Sequence, residues 1–109
     1  MKKRQLGKAG PSVSAIGLGC WNFAGAYGPT SEQESHETLA AAKDFGIDFI
    51  DTANVYGMGV SETVIGNYLR HNPGHFKIAT KAGICRDPST GARSFNNAPD
   101  HLRAELEAS

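Results

Sequence analysis

Apolar and polar positions fall into short blocks along this chain, and the blocks repeat in a fixed order. Residues 2–6 and 12–14 are brief and mixed, with Lys8-Ala9-Gly10-Pro11 supplying turn chemistry between them, which predicts a small amino-terminal hairpin. Ser14-Ala15-Ile16-Gly17-Leu18 reads as a short buried strand ended by Gly19, followed by a glycine- and aromatic-rich loop, C-W-N-F-A-G-A-Y-G-P-T. Ser31 and Glu34 then stand three apart before a long helix-compatible run, the signature of a capping box. That helix is expected over 32–45, with Gly46 as its carboxy-terminal cap. A second strand follows at 47–51. Ser61 resembles a second N-cap, and Val64, Ile65, Tyr68 and Leu69 fall on one helical face ended by Pro73-Gly74. Residues 76–81, F-K-I-A-T-K, form the third strand. The polar stretch at 82–98 is long for a connection, and loops of that length are usually functional or mobile. A last helix starts near Pro99, a favoured first helical position for proline.

Strand, helix, strand, helix, strand, helix argues for parallel strands joined by right-handed crossovers. Two α/β architectures fit: an open doubly wound sheet, or the start of an eight-stranded α/β barrel. The open nucleotide-binding sheet calls for Gly-x-Gly-x-x-Gly after its first strand. G-L-G-C-W-N supplies only the first two glycines, so the barrel is the better reading.

Placing the charged residues on that barrel changes the picture. Functional groups in α/β barrels sit at the carboxy ends of strands and in the loops beyond. Asp51 ends the second strand, Tyr56 lies in the next loop and Lys81 ends the third, so the three converge at one mouth. A buried ammonium on Lys81 is tolerable beside the Asp51 carboxylate. A neighbouring cation also makes a phenol, whose ordinary pKa is about 10, a better general acid near neutral pH. Each residue alone has a plainer role, as cap, packing group or solvated charge; the joint placement carries the chemistry.

Composition narrows the classes further. The length, 109 residues, suits one small domain, and 11 Lys and Arg balance 11 Asp and Glu. Such a balance gives no electrostatic case for nucleic acid or an acidic membrane surface. The basic start, Met1-Lys2-Lys3-Arg4, precedes Gln-Leu-Gly rather than an apolar signal core, and no run approaches a membrane span. Cys20 and Cys85 form no Cys-x-x-Cys element and read as two reduced thiols in a cytoplasmic protein. His71 and His75 are four apart, but Pro73 and Gly74 intervene, so no metal site is expected.

Over essentially all 109 residues the chain resembles the aldo-keto reductases. V-S-A-I-G-L-G-C-W, G-I-D-F-I-D-T-A-N-V-Y-G, G-V-S-E-T-V-I-G and I-A-T-K-A-G carry the likeness. The resemblance implies a TIM (β/α)8 barrel whose bottom is closed by an amino-terminal hairpin, with residues 1–109 supplying that hairpin and the first three βα units. It implies an oxidoreductase that reduces an aldehyde or ketone with NADPH, less often NADH. Tyr56 would be the proton donor, tuned by Lys81 and Asp51. Gly19, Cys20 and Trp21, with Asp51, would lie by the cofactor, and Trp21 and Tyr56 would meet the substrate. Tyr27 is a weaker pocket candidate.

The pattern departs from the best-known family signature. Gly46 is followed by Ile47 and Asp48 rather than an aromatic residue and arginine, and the signature glutamate comes late, at Glu62 after Met58-Gly59-Val60-Ser61. The spacing looks like the bacterial and potassium-channel-β-like branches. The family's catalytic histidine at the end of a fourth strand, and most of its cofactor residues, have no counterpart here; none of the four histidines, His101 included, takes that place. The isolated chain is therefore expected not to be a stable, active monomer but a gene fragment, a truncated reading frame, or one half of a split barrel completed by a carboxy-terminal half-barrel. The alternative is a non-catalytic fragment or regulatory binding subunit. Arg86 and Arg93 in the 82–98 stretch would attract an acidic or sugar substrate, or simply face solvent.

Overall fold

Three short parallel strands in the order β3-β4-β5 carry the fold in the computed structural model, which describes residues 1–109. Chain order is β1 (Lys3–Gln5), β2 (Ser12–Ser14), β3 (Leu18–Gly19), a single helical turn at Trp21–Ala24, α1 (Glu32–Asp44), β4 (Phe49–Asp51), α2 (Val60–His71), β5 (Lys77–Ala79), β6 (Ile84–Arg86), β7 (Arg93–Phe95) and α3 (Pro99–Ala108). None of the helices is long and apolar enough to cross a membrane.

β1 and β2 form the expected antiparallel hairpin, with Arg4 opposite Val13. A buried acid ties it to the base of the sheet. Asp48 Oδ1 accepts from the Ser14 amide at 2.6 Å, and Oδ2 accepts from Lys3 Nζ at 2.8 Å and Lys77 Nζ at 3.0 Å. The Lys3 hydrogen bond, against burial that pushes the other way, holds the Asp48 carboxyl well below the usual carboxylate range, and Ser14 and Lys77 add to it. The Asp48 amide donates in turn to Ser14 Oγ at 3.0 Å.

All three sheet strands are shorter than the sequence suggests, for local reasons. The sequence pattern starts the first at Ser14, but Ser14 belongs to β2 and its hydroxyl turns to donate to the Ile16 carbonyl at 2.7 Å. Residues 15–17 then cross exposed from hairpin to sheet. The second begins at Phe49 because the Ile47 amide caps α1, donating to the Ala42 carbonyl at 2.9 Å, and Asp48 is engaged at the base. The third ends at Ala79. Beyond it, pairing with the segment after β4 continues as single bonds, from Thr52 N to the Ala79 carbonyl at 2.8 Å and from Asn54 N to the Lys81 carbonyl at 3.1 Å.

α1 and α2 cover one face of this sheet. α1 starts with the full capping box: Glu34 N donates to Ser31 Oγ at 3.1 Å, and Ser31 N to Glu34 Oε2 at 2.8 Å. Its buried residues, Ser35, Leu39 and Ala42, recur at helical spacing. Val64, Ile65 and Tyr68 of α2 meet Leu39, Ile50, Cys20 and Phe23 in the core, with Leu69 packed against it. Complete burial of a side chain such as Leu39 or Ile50 stabilises by about 1.5–3 kcal/mol.

Ser61 is not the N-cap of α2. Gly59 is, in a left-handed conformation at φ 94°, where a side chain would be strained. Ser61 lies inside the first turn, fully buried. Residues 82–98 also depart from expectation. They form an antiparallel hairpin, β6 with β7, with Cys85 opposite Ser94, closed by a turn in which Asp87 Oδ1 accepts from the amides of Ser89 and Thr90. Pro99 opens α3 as expected.

Candidate active site

The carboxy ends of the three parallel strands point the same way, so the loops leaving them gather at one end. Gly19, the last residue of β3, pairs in register with Asp51, the last of β4, which pairs with Ala79. Lys81 lies two residues beyond, on the chain leaving β5. Its ammonium donates to Asp51 Oδ1 at 2.6 Å and to the Thr52 carbonyl at 2.8 Å. It also stands over the Tyr56 ring, 5.4 Å from the centroid. Asp51, Tyr56 and Lys81 are thus brought together by register and two loops.

Two acceptors and an aromatic face define where the ammonium sits. Burial pulls the Lys81 pKa down, but the hydrogen bond and charge of Asp51, and then the charge of Tyr56, outweigh it, so the net movement is up from 10.5. Lys81 therefore stays cationic at neutral pH. Contrary to the expectation of a buried ammonium, the pair is not buried. The two side chains are 45% and 48% exposed, because β5 has no neighbour on its far side to cover them.

Trp21 forms the wall of this end. Its ring is tilted against Tyr56 at a centroid distance of 6.1 Å and meets Tyr27 edge-on at 5.4 Å. Trp21 is 51% exposed and Tyr27 76%, so both side chains stay accessible at this end. Gly19 lies at the foot of this wall, and a Cβ built there would meet nothing within 4 Å. Gly19, with nothing near the place of its missing Cβ, and the half-exposed Trp21 and Asp51 all lie at this end of the sheet. Cys20 differs from its neighbours. Its side chain is fully buried, and burial, with Asp51 adding, pushes the thiol up to about 12. Its amide donates to the Asp51 carbonyl at 2.9 Å and its own carbonyl accepts from Ser61 Oγ at 3.0 Å, so its main chain serves to hold the loop.

A polar lock behind the site escapes sequence reasoning. Ser61 Oγ, besides bonding Cys20, lies 2.8 Å from Thr52 Oγ1, and both groups are buried. It joins the loop after β3, the loop after β4 and the first turn of α2. Nothing in the spacing of Cys20, Thr52 and Ser61 signals this; only the D-T-A run hints that Thr52 has a task. Gly57 is legible as a turn but has a sharper role. At φ 66°, a Cβ on it would fall 2.7 Å from Ala24 Cβ, so the loop bearing Tyr56 presses directly on the turn bearing Trp21.

Known proteins resemble this chain in sequence and in fold. The model of the aldo/keto reductase family matches residues 15–109. The aldo-keto reductase yakc of Schizosaccharomyces pombe, whose name carries NADP(+), is 38% identical over 100 residues, covering 90% of this chain and 29% of that protein. The pyridoxal 4-dehydrogenase of Microbacterium luteolum is 37% identical, again over 90% of this chain and 29% of its own length. Among solved structures, the holo form of aldo-keto reductase AKR11C1 from Bacillus halodurans superposes with a TM-score of 0.85 at 26% identity, over 98% of this chain and 34% of that one. The chain thus spans about a third or less of these relatives, and its hairpin and three βα units are the amino-terminal portion of their TIM barrel. By sequence and by fold, the chain belongs to the aldo-keto reductase family.

Proposed function

We propose that this chain forms the amino-terminal part of an oxidoreductase that interconverts a small carbonyl compound and its alcohol with NADP(H), NADPH being the reductant and NADH a less frequent substitute. The observation that carries the reading is the Lys81 ammonium held by Asp51 at 2.6 Å and set over the Tyr56 ring at 5.4 Å. The Tyr56 hydroxyl gives its proton to the carbonyl oxygen as negative charge develops there. Lys81 stabilises the phenolate left behind, and Asp51 with the Thr52 carbonyl keeps the ammonium aimed. NADPH, when bound, would supply the hydride. The bare backbone of Gly19, with the half-exposed Trp21 and Asp51, would hold its flat nicotinamide ring, and Trp21 would line the substrate side.

Sheet closure bears on turnover. β3 and β5 each have one hydrogen-bonded neighbour, so each presents a free edge. In this reading the carboxy-terminal part of a barrel from the same family would pair with those two edges, and the chain alone would be inactive. The test joins residues 1–109 to the remaining portion of a homologous barrel and follows NADPH oxidation at 340 nm with an aromatic aldehyde. Turnover in the hybrid that collapses in Tyr56→Phe supports the reading. A folded hybrid in which Tyr56→Phe works as well as the parent sinks it.

A further inference from the structure

We propose that Cys85 and His101 form a reactive thiol site, separate from Tyr56 and Lys81, at which Cys85 takes up a soft carbon electrophile as a thioether. Cys85 Sγ lies 3.4 Å from His101 Nε2, within hydrogen-bonding reach of a base. The hairpin fixes the thiol. Ile84 pairs with Phe95, Cys85 with Ser94, and the Asn96 amide closes the open end on the Gly83 carbonyl at 2.9 Å. Residues directly opposite in an antiparallel pair share a face, so the thiol's cross-strand neighbour is the small, exposed Ser94. Cys85, partly exposed, is therefore backed by the imidazole with Ser94 beside it, where Cys20 is enclosed on every side.

The base has support of its own. His101 stands in the first turn of α3, and Glu105 Oε1, one turn later, is 4.0 Å from the same Nε2. The other carboxylate oxygen of Glu105 accepts from Asn54 Nδ2, which anchors the carboxylate to the loop that carries Tyr56. Proton transfer from Cys85 to His101 creates an imidazolium beside that carboxylate, a favourable charge arrangement. The sulfur then attacks. With an alkyl halide, a carbon–sulfur bond forms, the halide leaves with its electron pair, and the proton stays on His101. With an α,β-unsaturated aldehyde, sulfur bonds the β-carbon, the carbon–carbon π pair moves toward the carbonyl, and the proton returns from His101 to the α-carbon. Neither route needs an oxidant or a second protein.

The experiment is alkylation of the purified hybrid barrel with iodoacetamide at pH 7, read peptide by peptide by mass spectrometry. The expected result is Cys85 labelled about tenfold faster in the native hybrid than in the guanidinium-unfolded hybrid, while native Cys20 stays unlabelled. His101→Gln should bring the native Cys85 rate down to the unfolded one. Native labelling of Cys85 no faster than in the unfolded hybrid would overturn the proposal, and so would a folded His101→Gln variant that keeps the fast rate. Should that variant fail to fold, the native-to-unfolded ratio in the unaltered hybrid decides the matter.

Discussion

Asp48, just before the central strand β4, and Asp51, at its end, lie three residues apart, and each is matched with lysine. Asp48 is nearly enclosed, with two ammonium groups, a backbone amide and a hydroxyl contact around it. Asp51 is half exposed and keeps one ammonium partner. All the bonding capacity of Asp48 is turned inward, where it clasps the hairpin to the sheet. Asp51 instead aims a lysine that is itself shared with a carbonyl and a phenol. The end with the fuller bonding is the scaffold, and the end with spare capacity is where chemistry can enter.

The sharpest break in that comparison is functional. In the completed hybrid barrel, Tyr56→Phe should lower kcat by about 10²–10⁴, the usual worth of a positioned proton donor, with almost no change in Tm. Asp48→Ala should do the reverse. It should cost about 2–3 kcal/mol in chemical denaturation, since a buried amide at Ser14 loses its acceptor, and leave kcat near the parent value. Acid sharpens the same contrast. Asp48 has a lowered pKa in the folded chain, so its contribution is complete above the unfolded carboxyl value of about 3.9 and is lost as pH falls toward the folded value. The parent's stability should therefore fall more steeply below pH ~4 than that of Asp48→Ala, measured by urea midpoints. Ser61→Ala, which strips the lock between Cys20 and Thr52, should cost about 1–2 kcal/mol. Smallest is the Asp51–Lys81 coupling: a double-mutant cycle should give below about 1 kcal/mol, shrinking further in 1 M salt because both groups meet solvent.

The legible part of the sequence is whatever local pattern dictates. Ser31 and Glu34 announce the start of α1 because both partners of the capping box lie within three residues. Val64, Ile65 and Tyr68 declare the inner face of α2 by helical spacing. Asp51, Tyr56 and Lys81 can be gathered from topology alone, since parallel strands align their carboxy ends. Ser61 misleads. A serine ahead of a helical run looks like a cap, and the groups that claim it lie 41 and 9 residues away. Strand ends are overdrawn because residues that look apolar enough to pair, Ile47 among them, have their amides claimed by a helix terminus. The β6–β7 hairpin carries its turn residues, D-P-S-T-G, in plain view. Its second strand, however, is exposed throughout and shows no apolar alternation to mark it. The exposure of the Asp51–Lys81 pair depends on the cover over β5, which no pattern within the pair encodes.

The Asp48 clasp also imposes an order of events during synthesis. Lys3 leaves the ribosome 45 residues ahead of Asp48, so the hairpin has no acid to hold it for about 2–9 s at ordinary elongation rates. Lys77 follows 29 residues after Asp48 and completes the clasp. Lys81, four positions later, has by then yet to emerge. The nascent chain thus receives every side chain of its foundation before it receives the one that arms the tyrosine.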